Sequence, residues 1–247
     1  MANKVTISPS NERKLHTKSG NRCAICRTVL VEPGNASVAC IGENAHIYGE
    51  KPGAARYDAS KEVGFINSEN NLIFLCCNCH KKVDTEVSNY PPDKLLAIKQ
   101  EHEKWVVQQL AENSGNYSFF ELEVLVSYLV SKQSLSKGSE SYSLLKFKDK
   151  IKKNALQERQ GYLNIGLINR QTVEDFFNKY PDTTYAERLT SIMAQKYIEL
   201  RASNDDTCVV FDELWSFTCG NNKDFNYKAA GLGILTYFFE KCEVFEK

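Results

Sequence analysis

The sequence predicts an α+β fold in two domains: a small, loop-rich domain organised by paired cysteines, followed by a mostly α-helical one. Three observations predict it. Six of the nine cysteines fall in the first third of the chain, and Cys23-Ala-Ile-Cys26 and Cys76-Cys77-Asn78-Cys79 each contain a C-x-x-C pair. Residues 21–84 around them are rich in Gly, Asn, Cys and Pro with few long periodic segments, the pattern of short strands and loops. Beyond about residue 119, successive segments carry apolar residues at helical spacing, separated by Gly, Asn or Pro.

Composition narrows the class. The 247 residues carry 31 basic and 31 acidic side chains, with 42% hydrophobic and 25% charged, as in an ordinary globular protein. No apolar run approaches the ~18 residues that span a bilayer, and the polar start MANKVTISPSNERK lacks the apolar core of a secretion signal. The expected address is cytoplasmic, without a membrane partner. Net neutrality argues against a basic nucleic-acid-binding body and leaves room for a local cationic face. Residues 1–110 hold 14 basic and 12 acidic side chains, and residues 111–247 hold 17 and 19, so any such face belongs to the first half.

The elements follow in order. KVTISPSNERKLHTKSG reads as a short helix entered through Ser8-Pro9-Ser10, with Ser10 as N-cap and Gly20 as its stop. After the cysteine-rich stretch, Pro91-Pro92 marks a boundary and Asp93 a cap. Leu95, Leu96, Ile98, Trp105, Val106 and Leu110 then form one face of an amphipathic helix that packs back on the cysteine module. AENSGNYS, small and polar around Ser114-Gly115, is the expected joint, giving domains over residues 1–112 and 119–247. A second polar stretch, SKQSLSKGSESYS, interrupts the helical pattern near Gly138. The segment Gly231-Leu232-Gly233 lies inside an apolar helix and is too weak to be a phosphate loop.

An odd cysteine total in a reducing compartment argues against a disulfide framework, and the paired spacing argues for metal. A C-x-x-C turn lets two thiolates converge on one ion, and two such turns complete the tetrahedral shell of structural zinc. Cys23, Cys26, Cys76 and Cys79 are the expected Zn²⁺ ligands, with Cys77 between them packed rather than bound.

Between and after these pairs, ENAHIYGEKPGAARYD and NSENNLIFLCCNCHKKVD supply His46, Asn71 and His80. The arrangement over residues 22–84 resembles the HNH (ββα-metal) endonucleases. That resemblance implies a zinc-stabilised ββα-metal nuclease domain acting on DNA. It implies His46 as the base, Asn71 as the group holding the imidazole, and His80 as a ligand of a catalytic Mg²⁺ or Mn²⁺. The residue types suit the reaction, because phosphodiester hydrolysis needs a base for water and a cation for the charge on phosphoryl and leaving oxygens. Many relatives carry Asp where this chain has Ala45; a subset, many from defence systems, keeps Ala. Glu43 and Asp84 are the acids expected to substitute, Asp84 standing four residues after His80 and so on the same helix face. Arg56, Lys81 and Lys82 are the expected phosphate contacts. His16 and His102 have no such context and are expected to be structural.

The ending AAGLGILTYFFEKCEVFEK, with LKFKDKIKKNAL upstream, resembles the C-terminal domain of ABC-three-component systems, which are Lamassu-like antiphage cassettes. It implies an assembly and recruitment domain working with an SMC/Rad50-like ATPase and a small middle component. The apolar last helix is expected to bury itself against a partner or a second copy. Two other readings stand beside the nuclease effector: a catalytically silent zinc-ribbon adaptor for DNA or protein, supported by Ala45, and an HNH effector activated by a nucleotide second messenger.

Overall fold

A computed structural model describes residues 6–33, 38–131, 146–179, 184–220, 222, 224–241 and 244–245. The polar stretch around Gly138 lies outside the described residues. The chain forms two compact units, Met1–Val107 and Gln108–Lys247.

In the first unit, helix α1 (Pro9–Lys18) begins two residues earlier than expected: Ser8, not Ser10, is the N-cap, its Oγ accepting from Asn11 N at 3.1 Å. Pro9 then occupies the first helical position, where its missing N–H costs nothing. Strands β1 (Val31–Pro33) and β2 (Val38–Cys40) form one antiparallel pair. Strands β3 (Gly42–His46) and β4 (Leu72–Cys76) form the other, in register from Gly42↔Cys76 to His46↔Leu72. Between β3 and β4 lie helix α2 (Val63–Ile66) and a 3₁₀ turn, Glu69–Asn71. β4 runs directly into helix α3 (Cys77–Thr85).

Leu72, Ile73, Phe74 and Leu75 are all buried, a continuous apolar run that fits a strand covered on both faces. α1 and α3 both pack against β4, and Leu15, Leu30, Ala45, Ile47 and Val83 complete the core. Helix α4 (Pro92–Ser114) starts at Pro92, so Asp93 lies in its first turn, where its charge complements the helix dipole, rather than at the cap. His102 is buried on α4 and donates from Nε2 to the Ser19 carbonyl at the end of α1, at 2.9 Å.

The second unit is helical: α5 (Phe119–Ser131), α6 (Phe147–Lys153), α7 (Gln160–Gly166), α8 (Arg170–Lys179), α9 (Thr184–Ser203), α10 (Thr207–Cys219) and α11 (Phe225–Glu240). α11 is apolar nearly all round, the signature of a helix enclosed on every side. α5, α7, α8 and α10 enclose it. This corrects one expectation: the apolar face of the last helix is consumed inside its own unit, which removes the reason for assigning it to self-association. Gly231 and Gly233 serve that enclosure. A Cβ on Gly231 would meet Cys219, and one on Gly233 would meet the hydroxyl of buried Tyr117. Among the described residues, no helix is long and apolar enough to cross a membrane.

A fully buried ion pair crosses this core. Arg159, in a 3₁₀ turn before α7, donates from Nε and Nη2 to the two carboxylate oxygens of Asp212 on α10, both at 2.8 Å. Burial disfavours the charged guanidinium, but Asp212 holds its pKa above the usual arginine value. Breaking such a pair strands a charge in the core, whereas replacing both partners by apolar groups does not. Asp212→Ala should therefore destabilise the chain by about 3–5 kcal/mol in urea unfolding followed by circular dichroism. The double variant Arg159→Met/Asp212→Leu should lose far less.

Candidate active site and metal centre

The metal centre is built from two turns. Residues 23–28 form a tight knuckle: Cys23 N donates to Thr28 O and Arg27 N to Cys23 O, each at 2.9 Å, with Arg27 in the left-handed region at φ 64°. Ala24 N donates to Phe74 O at 2.9 Å, pinning the knuckle to β4. The second turn is the β4–α3 junction, where Cys76 caps α3 and its Sγ accepts from Cys79 N at 3.4 Å. The ligand atoms of Cys23, Cys26, Cys76 and Cys79 all lie within 4.8 Å of one another, and among the described residues this is the group of metal-ligating side chains that converges in this way. Cys26 and Cys76 sulfurs are 3.7 Å apart, close to the edge of about 3.8 Å in a tetrahedron with metal–sulfur bonds of about 2.3 Å.

The thiols share the site unequally. Burial pushes Cys23 and Cys79 up. Cys26 is also partly buried, but hydrogen bonds with Thr28 and the neighbouring cysteines bring it down to about 6. Four converging thiols cannot all ionise without a cation among them, and a closed four-sulfur shell is the donor set of structural zinc. The cluster fits a zinc site.

The second cluster lies where α3 meets β3. Alternation along a strand puts Glu43 and Ala45 on one face and Asn44 and His46 on the other. On the first face, Glu43 Oε2 sits 2.5 Å from His80 Nδ1, while His80 Nε2 sits 3.2 Å from Asp84 Oδ2. Glu43, Cys77, His80, Lys81, Asp84 and Thr85 line an open cavity there. Ala45 is buried, and Glu43 stands two residues earlier on the same face of β3. Carboxylates and imidazole form a donor set suited to a divalent cation. Cys77 is exposed and lines this cavity, which corrects the expectation that it packs away.

His46 occupies the other face, at the end of β3. Its Nε2 donates to Asn67 Oδ1 at 2.8 Å, and Asn67 is itself buried. The expectation that Asn71 holds this ring is corrected. The Asn71 amide instead accepts from Tyr48 N at 2.9 Å and donates to the Tyr48 and Ile66 carbonyls at 3.0 and 2.8 Å. It fastens the backbone just beyond β3, and Asn67 takes the ring. Nothing in the FINSEN segment marks Asn67, because its role depends on a contact across 21 residues.

The expected phosphate contacts separate. Lys81 is exposed at the cavity. Lys82 lies over the Tyr90 ring, and its hydrogen bond to Tyr90 raises its pKa. Arg56 is corrected: its guanidinium is buried with only 1% of the side chain exposed, and it bonds to the protein, not to solvent. His16 lies tilted against Phe74, with centroids 4.2 Å apart, and donates to Asn44 Oδ1 at 3.0 Å.

With this geometry in hand, comparison with family models gives two matches. Residues 23–86, which contain both clusters, match the HNH endonuclease family. Residues 121–246, more than half of the chain, match C-terminal domain 10 of the ABC-three component (ABC-3C) systems. The chain belongs to the ABC-3C family. This ABC-3C protein thus joins an HNH endonuclease domain to the shared helical domain of a multi-component system. A comparison with curated proteins finds no match.

Cys79→Ser leaves three sulfurs on the clamp. The variant is expected to retain less than about a tenth of the tightly bound metal measured by elemental analysis, because a structural shell is closed by its fourth ligand. Cys40→Ser, outside the cluster, should retain all of it.

Proposed function

We propose that this ABC-3C protein is a metal-dependent DNA endonuclease, the effector of an antiphage system. In this reading residues 1–112 form the nuclease, and residues 119–247 bring it to an SMC/Rad50-like ATPase and a small middle component. The observation that carries the reading is the placement of His80 between Glu43 and Asp84, on the helix that follows the strand paired with His46. The cation expected there is Mg²⁺ or Mn²⁺, and the ion in the four-sulfur clamp is Zn²⁺.

His46 acts as the general base. Its Nε2–H is engaged by Asn67, which leaves the Nδ1 lone pair to take a proton from water as the hydroxide oxygen attacks phosphorus and the P–O3′ bond breaks. In-line displacement needs the attacking and departing oxygens on opposite sides of phosphorus. His46 and Glu43 both belong to β3, so the base and the Glu43–His80–Asp84 cavity border one strand. Glu43, His80 and Asp84 would hold a divalent cation there, which would supply positive charge for the phosphoryl and leaving oxygens. Lys81 adds charge at the rim for the phosphate backbone. Asn67 fixes the imidazole tautomer and aim, as an outer partner does for a ligating histidine.

A second reading, a silent zinc-stabilised adaptor, draws on Ala45 and on the pairing of both His80 nitrogens with carboxylates. Plasmid nicking in Mn²⁺ or Mg²⁺ separates the two, with the ATPase partner added where the chain alone is inactive. His46→Ala is expected to lower the rate by about 10²–10⁴-fold, the usual contribution of general acid–base catalysis. Asn67→Ala should lower it less. Undiminished cleavage by His46→Ala would remove that residue from the mechanism, and no cleavage under any of these conditions would favour the adaptor.

A further inference from the structure

Arg56 is the most heavily engaged side chain around the site, and neither its place in the chain nor a family match explains why. Nε donates to Ile47 O at 2.9 Å, Nη1 to Val83 O at 2.7 Å, and Nη2 to His46 O at 3.3 Å and to Asp84 Oδ1 at 2.5 Å. These acceptors come from two elements. His46 and Ile47 are the end of β3 and the residue after it, where the β3–β4 ladder stops. Val83 and Asp84 belong to the last turn of α3, whose final carbonyls have no partner within the helix. One planar, permanently charged fork therefore ties the backbone that carries the candidate base to the helix that carries the candidate cation ligands.

Two further facts set this apart from incidental packing. Arg56 adopts φ 57°, a left-handed conformation that a bulky side chain rarely takes. Such strain persists only where surrounding contacts enforce it, and it concentrates at functional sites. The buried guanidinium also faces a carboxylate whose two oxygens are divided: Oδ1 meets Arg56 and Oδ2 meets His80 Nε2. Arg56 thus fixes the rotation of Asp84, whose second oxygen stays beside His80 Nε2 at the cavity wall.

We infer that Arg56 is a positioning residue, which couples the His46 end of β3 to the Asp84 carboxylate and so sets both the aim of the base and the affinity of the cavity for a divalent cation. The inference rests on the cation reading of the Glu43–His80–Asp84 cavity. It differs from a phosphate-binding role, because the guanidinium has no exposed edge for a backbone to reach.

The test uses the full-length, zinc-loaded protein with Arg56→Lys and Arg56→Gln. Lysine keeps the charge but cannot span the acceptors of both elements. Mn²⁺ binding is read without DNA, from the paramagnetic resonance of the free ion, with His80→Ala marking the signal that belongs to the cavity. Arg56→Lys should weaken that binding by about 10–100-fold, the usual cost of losing an outer partner of a metal ligand. It should lower kcat by a similar factor while KM for DNA and zinc content stay unchanged. The slope of log affinity for DNA against log salt should also stay the same, whereas loss of a phosphate contact would reduce it by about 0.9.

Wild-type Mn²⁺ affinity and kcat in Arg56→Lys would overturn the inference, and so would a reduced salt slope. If Arg56→Gln does not fold, Arg56→Lys decides. Mn²⁺ binding that responds to Arg56 in a chain that cleaves no DNA would uphold the coupling to the cation and defeat the endonuclease reading. No His80-dependent Mn²⁺ binding in the wild type would defeat both.

Discussion

The first unit depends on convergence of four sulfurs from two turns that are about 50 residues apart. Apart from the sulfurs, the knuckle at Cys23–Cys26 and the β4–α3 junction at Cys76–Cys79 are joined by the Ala24 N–H to Phe74 O bond and a small shared core, and the strands are only three to five residues long. An ion shared by four thiolates would add to this small core a constraint that burial does not provide. It would act at a decisive place, because Cys76 is at once the last residue of β4, the cap of α3 and a member of the cluster. The direction in which α3 leaves the strand, and with it the position of His80, is set at that residue.

From that junction the rest of the site follows by geometry. Strand alternation divides β3 into two faces, so that Glu43 meets His80 under α3 while His46 meets Asn67 on the opposite side. Three amide or guanidinium side chains then stiffen the region around the end of β3. Asn71 holds the backbone at Tyr48, Asn67 holds the imidazole, and Arg56 joins the strand end to the helix. The helical unit shows the same economy with apolar matter: α11 is enclosed by its own neighbours, and its glycines mark close approaches.

What was legible in the sequence was whatever is carried by short-range spacing. The paired cysteines, the helical periodicity beyond residue 119 and the i,i+4 relation of His80 to Asp84 are local patterns, and the α+β class followed from them. What was not legible depends on contacts between distant segments. Arg56 looks like any loop arginine until its carbonyl partners at His46, Ile47 and Val83 are known. Asn67 and Asn71 are indistinguishable by type, and only the path of the chain between α2 and β4 assigns the ring to one and the backbone to the other. Cys77 lies between two clustered cysteines yet faces the cavity, because the first turn of α3 rotates it away from its neighbours. The apolar run of α11 could signal either a core or an interface, and tertiary packing decided for the core.

The central claim is that a sulfur-bound ion fixes the junction from which both faces of the site are built. X-ray absorption at the zinc edge on the full-length protein tests it most directly. The account predicts four sulfur neighbours at about 2.3 Å. A shell dominated by nitrogen or oxygen, or protein that folds normally while holding no zinc, would contradict it.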